Sequence, residues 1–444
     1  AADACVDAAA VARARHAPEE AVVLCQEAVA AGELAGLGGR RRAGVLLELA
    51  RSLYAGARYD EATAVGMQVL DQVRDPALVV QVVDTMLADP QWISFSYDTD
   101  VSMIDHRLRQ ALAALPAGSS AWALGEACRG VLLGASGGDG DIDAVTGGAV
   151  RAARAQDDPQ LLIRAVQLRL IALRGPDVIT ERADTARLLR SLPGLPPALA
   201  LVAELNVVSH QVECGDVAAA AGRSVELEER AEELRDPTLL RQTRYVRVAL
   251  AMFEGRYEDA AADLAAVVAR TPTASRHYFQ AAEAGIHAQV AYEQGALAGF
   301  APFLERVYDE TGIPGFGYAL GMALVDTDPD RARSLLLRTP EPPRDYSWVT
   351  ATVVRNHLAI LLGELDHVRR CRELLAPFRG GLVVTGTCLG IYGAYDGHLG
   401  EAALALGDHA TARTELGAAV ELLQRAGATY WLRRAREALA RCDM

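Results

Sequence analysis

Two stretches of the chain carry residue types that do chemistry when they are placed correctly. "GASGG", from Gly134 to Gly138, has the G-x-S-x-G form that would present Ser136 as a nucleophile. That chemistry needs a strand, a sharp turn and a helix. Here the match sits in a glycine-rich stretch between helical patterns, and it reads as a lengthened turn. "DGDID" sets Asp139, Asp141 and Asp143 in the alternation of a calcium loop. The sixth position is Ala144 rather than glycine and the twelfth is Val150 rather than glutamate, so a solvated loop is expected. The nine histidines make no HExxH pair and no Cys/His cluster. No Walker motif or dinucleotide fingerprint is present. No catalytic residue, metal ligand or cofactor is therefore expected, and the chain does not read as an enzyme.

Composition narrows the classes further. All 44 basic residues are arginine, which excludes Schiff-base lysine chemistry. The net charge of −14 argues against a surface built to neutralise nucleic-acid phosphates. Seven cysteines, Cys5, Cys25, Cys128, Cys214, Cys371, Cys388 and Cys442, lie scattered with no CxxC pair. Reduced, mostly buried thiols in a cytoplasm are the expected case. No apolar run of about 18 residues marks a membrane span, and no signal peptide is seen. The first residue is Ala rather than Met, which suggests a processed or truncated chain.

The elements that would position side chains are helices. Ala, Leu, Arg and Glu dominate, and all favour helix. Glycines set a period: Gly134, Gly175, Gly215, Gly255 and Gly295 are spaced 41, 40, 40 and 40 residues apart. Gly56 lies upstream, and Gly363 and Gly407 lie downstream. The phrase around them is clearest in "LYAGARYDEA", "MFEGRYEDAA" and "LALGDHATAR". A glycine ends one helix in the left-handed conformation, and acidic residues then start the next. Tyr59 and Tyr257 would wedge between neighbouring helices, and Ala62 and Ala260 would allow close approach. A second phrase marks the other junction. Asp75, Asp158 and Asp236 read as N-caps, and Pro76, Pro159 and Pro237 as first helical residues. Turns near residues 16, 56, 97, 134, 175, 215, 255, 295, 327, 363 and 407 give about eleven helix-turn-helix units of roughly 40 residues.

This pattern resembles tetratricopeptide repeats in a long form; Gly255, Tyr257 and Ala260 fit the Gly-x-Tyr-x-x-Ala core directly. The segment His398–Arg441 and the Asp-Pro phrases also resemble the repeat region of large ATP-binding LuxR-type and SARP-type bacterial transcription regulators. The resemblance implies a sensory or restraining region. In that family a nucleotide-binding module precedes the repeats and a helix-turn-helix DNA-binding module sits at one end. Neither module lies in this chain, so their activities do not carry over.

The expected fold is all-α, a right-handed superhelical solenoid. Residues 1–337 form helical repeats, 338–346 a proline-rich loop or kink, and 347–444 the C-terminal repeats with a capping helix. In tetratricopeptide-like arrays the first helices line a concave groove. Six residues before each turn glycine stand Arg169, Ser209, Ala249, Gln289, His357 and Glu401. Five of these six are polar on otherwise apolar helices, which suggests a solvent-lined groove. Gln242, Tyr245 and Tyr292 fall on the same face. A small-molecule effector, or a protein or peptide, is the expected occupant. No membrane or direct nucleic-acid contact is expected, and a homodimer stays open. Three aromatic clusters read as packing between helices: Trp92, Phe95 and Tyr97; His277, Tyr278 and Phe279; Tyr392, Tyr395 and His398. Trp431 is expected to close the terminal unit. Function reads as the sensory region of a cytoplasmic bacterial transcription regulator; the alternative is a free-standing scaffold that binds a peptide or protein.

Overall fold

The computed structural model describes residues 1–15, 17–89, 91–93, 95, 99–136, 140–270 and 276–442. Among them are 23 α-helices and one two-stranded antiparallel sheet. The chain divides into two compact units. The first is Ala1–Leu173, Asp184–Val202 and Pro272–Tyr278; the second is Arg174–Ala183, Ala203–Thr271 and Phe279–Met444.

The first unit holds α1 (Ala2–Ala14), α2 (Pro18–Leu34), α3 (Gly39–Ala55), α4 (Tyr59–Gln72), α5 (Pro76–Met86), α6 (Val101–Ala114), α7 (Ser120–Ser136), α8 (Ile142–Arg154) and α9 (Pro159–Ala172). The dividing line passes through α10 (Ile179–Ser191) and α11 (Pro197–Glu213). Each helix up to α9 packs on the next in sequence, and the odd-numbered helices also pack on one another, α1 on α3 through to α7 on α9. That is the layering of stacked helix pairs, in which first helices share one layer and a single repeat cannot bury its apolar face alone.

The second unit continues with α12 (Val217–Leu234), α13 (Pro237–Phe253), α14 (Tyr257–Arg270), α15 (Arg276–Glu293, from Phe279 on), α16 (Ala301–Thr311), α17 (Pro314–Leu324), α18 (Pro329–Arg338), α19 (Trp348–Leu362) and α20 (Leu365–Leu375). Then comes a hairpin of β1 (Leu382–Thr385) and β2 (Gly390–Ala394), followed by α21 (Tyr395–Ala405), α22 (His409–Ala426) and α23 (Tyr430–Arg441). Again α17, α19 and α21 pack in one layer. The proline-rich segment runs between α18 and α19 without helix, inside this unit.

The Asp-Pro phrase does what its chemistry dictates. The Asp236 carboxylate accepts from the amides of Thr238 (2.9 Å) and Leu239 (3.1 Å) at the start of α13. Asp75 and Asp158 cap α5 and α9 in the same way. The glycine register holds less evenly. Gly215, Gly255, Gly295, Gly363 and Gly407 all take positive φ. Gly134 does not make the expected turn. It lies inside α7, where a Cβ would stand 3.1 Å from the Ala172 carbonyl oxygen, so its role is close helix approach. After α3 the left-handed residue is Ala57 rather than Gly56. The expected turns near residues 16 and 97 fall at or beside residues outside those described.

The hairpin is a departure from the all-helical expectation. Leu382, Val383 and Val384 are buried, as are Cys388 and Ile391. Val383 packs with Trp348, Val349, Val353, Leu375, Tyr395 and Leu399. The last helices return to the earlier ones of the same unit. The Thr429 amide donates to the Phe253 carbonyl (3.0 Å), and its hydroxyl donates to the Glu254 carbonyl (2.6 Å). Among the described residues no helix is long and apolar enough to cross a membrane.

The turn after α13 yields a paired test. Gly255 has φ 81°, and a Cβ there would meet Thr429 Cβ at 2.9 Å. Gly295 has φ 73° with nothing within 4 Å of the same position. Gly295→Ala should cost about 1 kcal/mol, the left-handed backbone term alone. Gly255→Ala should lower the melting temperature by distinctly more. Equal losses in thermal denaturation would mean that Thr429 does not close on this turn.

Candidate functional site

The polar residues on the first helices converge in the second unit, but not on solvent. Ser209, Gln242, Tyr245, Gln289, His357 and Glu401 are all buried, and Tyr292 is partly so. The expected open groove is filled here by the chain itself. The hairpin carboxy-terminal to α20 supplies partners to Gln242 and Gln289, and helix α23 supplies them to Tyr292 and Glu401. Burial of unpaired polar groups is costly, so each needs a partner from somewhere.

Two carboxamides hold the hairpin by its main chain. Gln242 Nε2 donates to the Thr387 carbonyl (3.2 Å) and to its hydroxyl (2.9 Å). Gln289 Nε2 donates to the Ile391 carbonyl (2.9 Å) and to Glu293 Oε1 (2.8 Å). Both glutamines sit on helices of the inner layer, so residues 102 and 145 positions away in sequence are fixed by single side chains.

The buried Glu401 and the partly buried Arg434 form an ion pair that starts a fixed chain of donors. Arg434 of α23 grips Glu401 of α21 with two bonds, Nε to Oε1 (2.6 Å) and Nη2 to Oε2 (2.8 Å). Its Nη1 donates to the Tyr292 hydroxyl oxygen (2.6 Å). Tyr292 stands 3.2 Å from His357 Nδ1, and His357 Nε2 stands 3.0 Å from His398 Nδ1. His398 Nε2 lies 2.6 Å from the Tyr392 carbonyl oxygen. An arginine only donates and a carbonyl only accepts. With both rings neutral, the protons then run one way: Arg434 to Tyr292, Tyr292 to His357, His357 to His398, His398 to Tyr392. Burial lowers the His357 pKa, helped by Arg434, and brings that of His398 down to about 3, helped by His357. Burial pushes the Glu401 carboxyl up, but Arg434 and His357 outweigh it and the net shift is downward.

Beside this network Glu293 is buried with hydrogen bonds but no cation among its bonded partners. It accepts from Tyr257 (2.9 Å), Gln289 and Trp431 Nε1 (3.0 Å). Burial raises its pKa to about 7 against those three donors. Trp431 thus closes the terminal helices through a buried carboxylate as well as by packing; its ring covers Gly393, where a Cβ would lie 2.9 Å away.

Other expected positions fall elsewhere. Arg169 belongs to the first unit, where its guanidinium is used up by Thr185 (3.1 Å), Thr146 (2.7 Å) and an ion pair with Asp143. Ala249 is buried. Asp141 caps α8 through the Ala144 amide (2.9 Å), so the acidic run starts a helix. The Ser136 side chain, Gly138 and Asp139 lie outside the described residues, as do Tyr97 and the side chains of His277 and Tyr278. Phe279 is buried under the Arg241 guanidinium, 3.3 Å from its ring centre. Residue spacing did not reveal His398, Glu293 or Arg434 as members of the site. His398 and Glu401 are one helical turn apart, which was the available signal.

No protein-family model and no curated protein matches this chain. Among solved structures it is similar to yeast Tom70, at 12% identity over 100% of this chain and 95% of that one, with a TM-score of 0.32. A match to the APC/C hetero-tetramer Cut9-Hcn1 has 12% identity over 98% and 95%, with a TM-score of 0.24. A circular tandem repeat protein of novel repeat topology matches at 18% identity over 100% and 94%, with a TM-score of 0.14.

Glu293 gives the site a pH signature. Its raised pKa means the folded chain keeps a proton that the unfolded chain releases between about pH 4.5 and 7. This contribution to stability is complete below the unfolded pKa and is lost as pH rises through the folded one. Glu293→Gln, which mimics the protonated acid, should match the wild type near pH 4.5. At pH 8 it should be more stable, by on the order of 3 kcal/mol from the size of the shift. A gain that is the same at both pH values, in paired thermal melts, would contradict the buried-acid assignment.

Proposed function

We propose that this chain is the sensory and partner-binding region of a larger cytoplasmic bacterial transcription regulator of the ATP-binding LuxR or SARP kind. It does no chemistry of its own. The observation that carries the reading is the way the second unit uses its inner layer. Gln242 holds the turn of the hairpin at Thr387 and Gln289 holds strand β2 at Ile391, so side chains of the helical layer grip a non-helical segment by its main-chain carbonyls. The Asp-Pro caps and the His398–Arg441 segment support the family likeness from the sequence side.

In this reading an effector or a protein segment acts on the helical layers, and the hairpin with α23 is the element that responds. It joins the inner layer to the C-terminal helices through Thr387, Ile391 and Trp431. A change in how these pack would alter the stacking of the repeats, and an attached ATPase or DNA-binding module would read that change. The net charge of −14 fits a region that leaves nucleic-acid contact to another part of the protein.

The coding sequence on either side tests this directly. A nucleotide-binding module with a P-loop is expected on the N-terminal side, with a helix-turn-helix module at one end. A reading frame that opens and closes close to these residues, with neither module, would overturn it and leave a free-standing scaffold.

A further inference from the structure

We propose that His357, His398 and Glu401 form a binding site for a late first-row divalent cation, zinc foremost. The proposal stands apart from the regulator reading and does not depend on it.

Each of the three residues offers one ligand atom, and these atoms lie within 4.8 Å of one another. His357 Nε2 is 3.0 Å from His398 Nδ1 and 3.4 Å from Glu401 Oε2. Ligand atoms about 2.0–2.1 Å from a tetrahedral zinc are separated by about 3.3 Å, so two edges of the cluster already have nearly that length. Two imidazoles and a carboxylate are a donor set that zinc accepts. They come from two neighbouring helices of the inner layer. His357 is on α19, and His398 and Glu401 are one turn apart on α21.

The outer atoms of both rings are held as metal-binding histidines require. His398 Nε2 donates to the Tyr392 carbonyl at 2.6 Å, which turns the Nδ1 lone pair toward the cluster. His357 Nδ1 faces the Tyr292 hydroxyl at 3.2 Å. Without metal, one proton on His357 Nε2 bridges the two rings. A cation takes the place of that proton. His357 then carries its proton on Nδ1 and donates it to the Tyr292 oxygen, while the Tyr292 hydroxyl turns to Tyr430, with which it also interacts.

Arg434 sets the strength of the site. Its guanidinium stays on both Glu401 oxygens and orients the carboxylate. Its positive charge opposes the cation, so the affinity falls below that of an arginine-free site of the same ligands. The three residues leave the fourth tetrahedral position to a water, and a cation held by them would tie α19 to α21.

The test uses the whole chain with cobalt(II) as a spectroscopic probe and zinc as competitor. Wild type should take up about one equivalent of cobalt with the intense visible bands of tetrahedral coordination, and zinc should bleach them. Zinc should also raise the melting temperature, since a ligand held only by the folded state stabilises it. His398→Gln, checked for helicity by circular dichroism, should lose the bands. Wild-type protein without tetrahedral bands overturns the proposal, whatever the variant does. Bands that persist in folded His398→Gln overturn it as well.

Discussion

The second unit depends on an ion pair between the buried Glu401 and the partly buried Arg434. A guanidinium and a carboxylate taken out of water lose several kcal/mol of solvation each, and their attraction compensates only when geometry is good and the remaining protons are satisfied. Here two parallel bonds join them, and the third arm of the arginine reaches Tyr292. That bond sets the first step in the chain through His357 and His398 to the hairpin carbonyl of Tyr392. Four helices, α15, α19, α21 and α23, and a hairpin are therefore held in one register by groups that cannot shift singly without leaving a polar atom unpaired.

The same constraint explains why the hairpin exists. A concave polar layer needs solvent or protein against it. Here β1 and β2 bring both apolar side chains and main-chain carbonyls to that layer. Val383 and Ile391 fill apolar space, while the carbonyls of Thr387, Ile391 and Tyr392 accept from Gln242, Gln289 and His398. Polar networks of this kind specify one arrangement more than they add net stability.

Much of this was legible in the sequence, and the gaps have physical causes. Asp75, Asp158 and Asp236 announced helix starts because N-cap chemistry is local. Gly255, Gly295 and Gly407 announced helix ends because few other residues take positive φ without strain. Gly134 misled, since a glycine that admits a neighbouring backbone has the same sequence signature as one that turns the chain. The polar stripe was expected to face solvent, whereas Ser209, Gln242, Gln289, His357 and Glu401 are buried. Polarity of Gln242, Gln289 and His357 is equally consistent with water or with a buried partner, and the partners lie up to 145 residues away. The short run Leu382–Thr385 has the β-branched residues of a strand, but helical periodicity on both sides masked it. Arg434 resembles any exposed arginine of a terminal helix until its contact with Glu401 is known.

The burial of residues 382–394 inside the second unit is the claim on which the site rests, and native-state hydrogen exchange measures it. Main-chain amides of this segment, Leu389 and Ile391 among them, should exchange as slowly as those in the middle of α19 and α21, because they open only when the core around Arg434 and Glu401 opens. Exchange of the segment at the rate of exposed surface turns, with α19 and α21 still protected, would contradict a self-filled inner layer and restore an open groove.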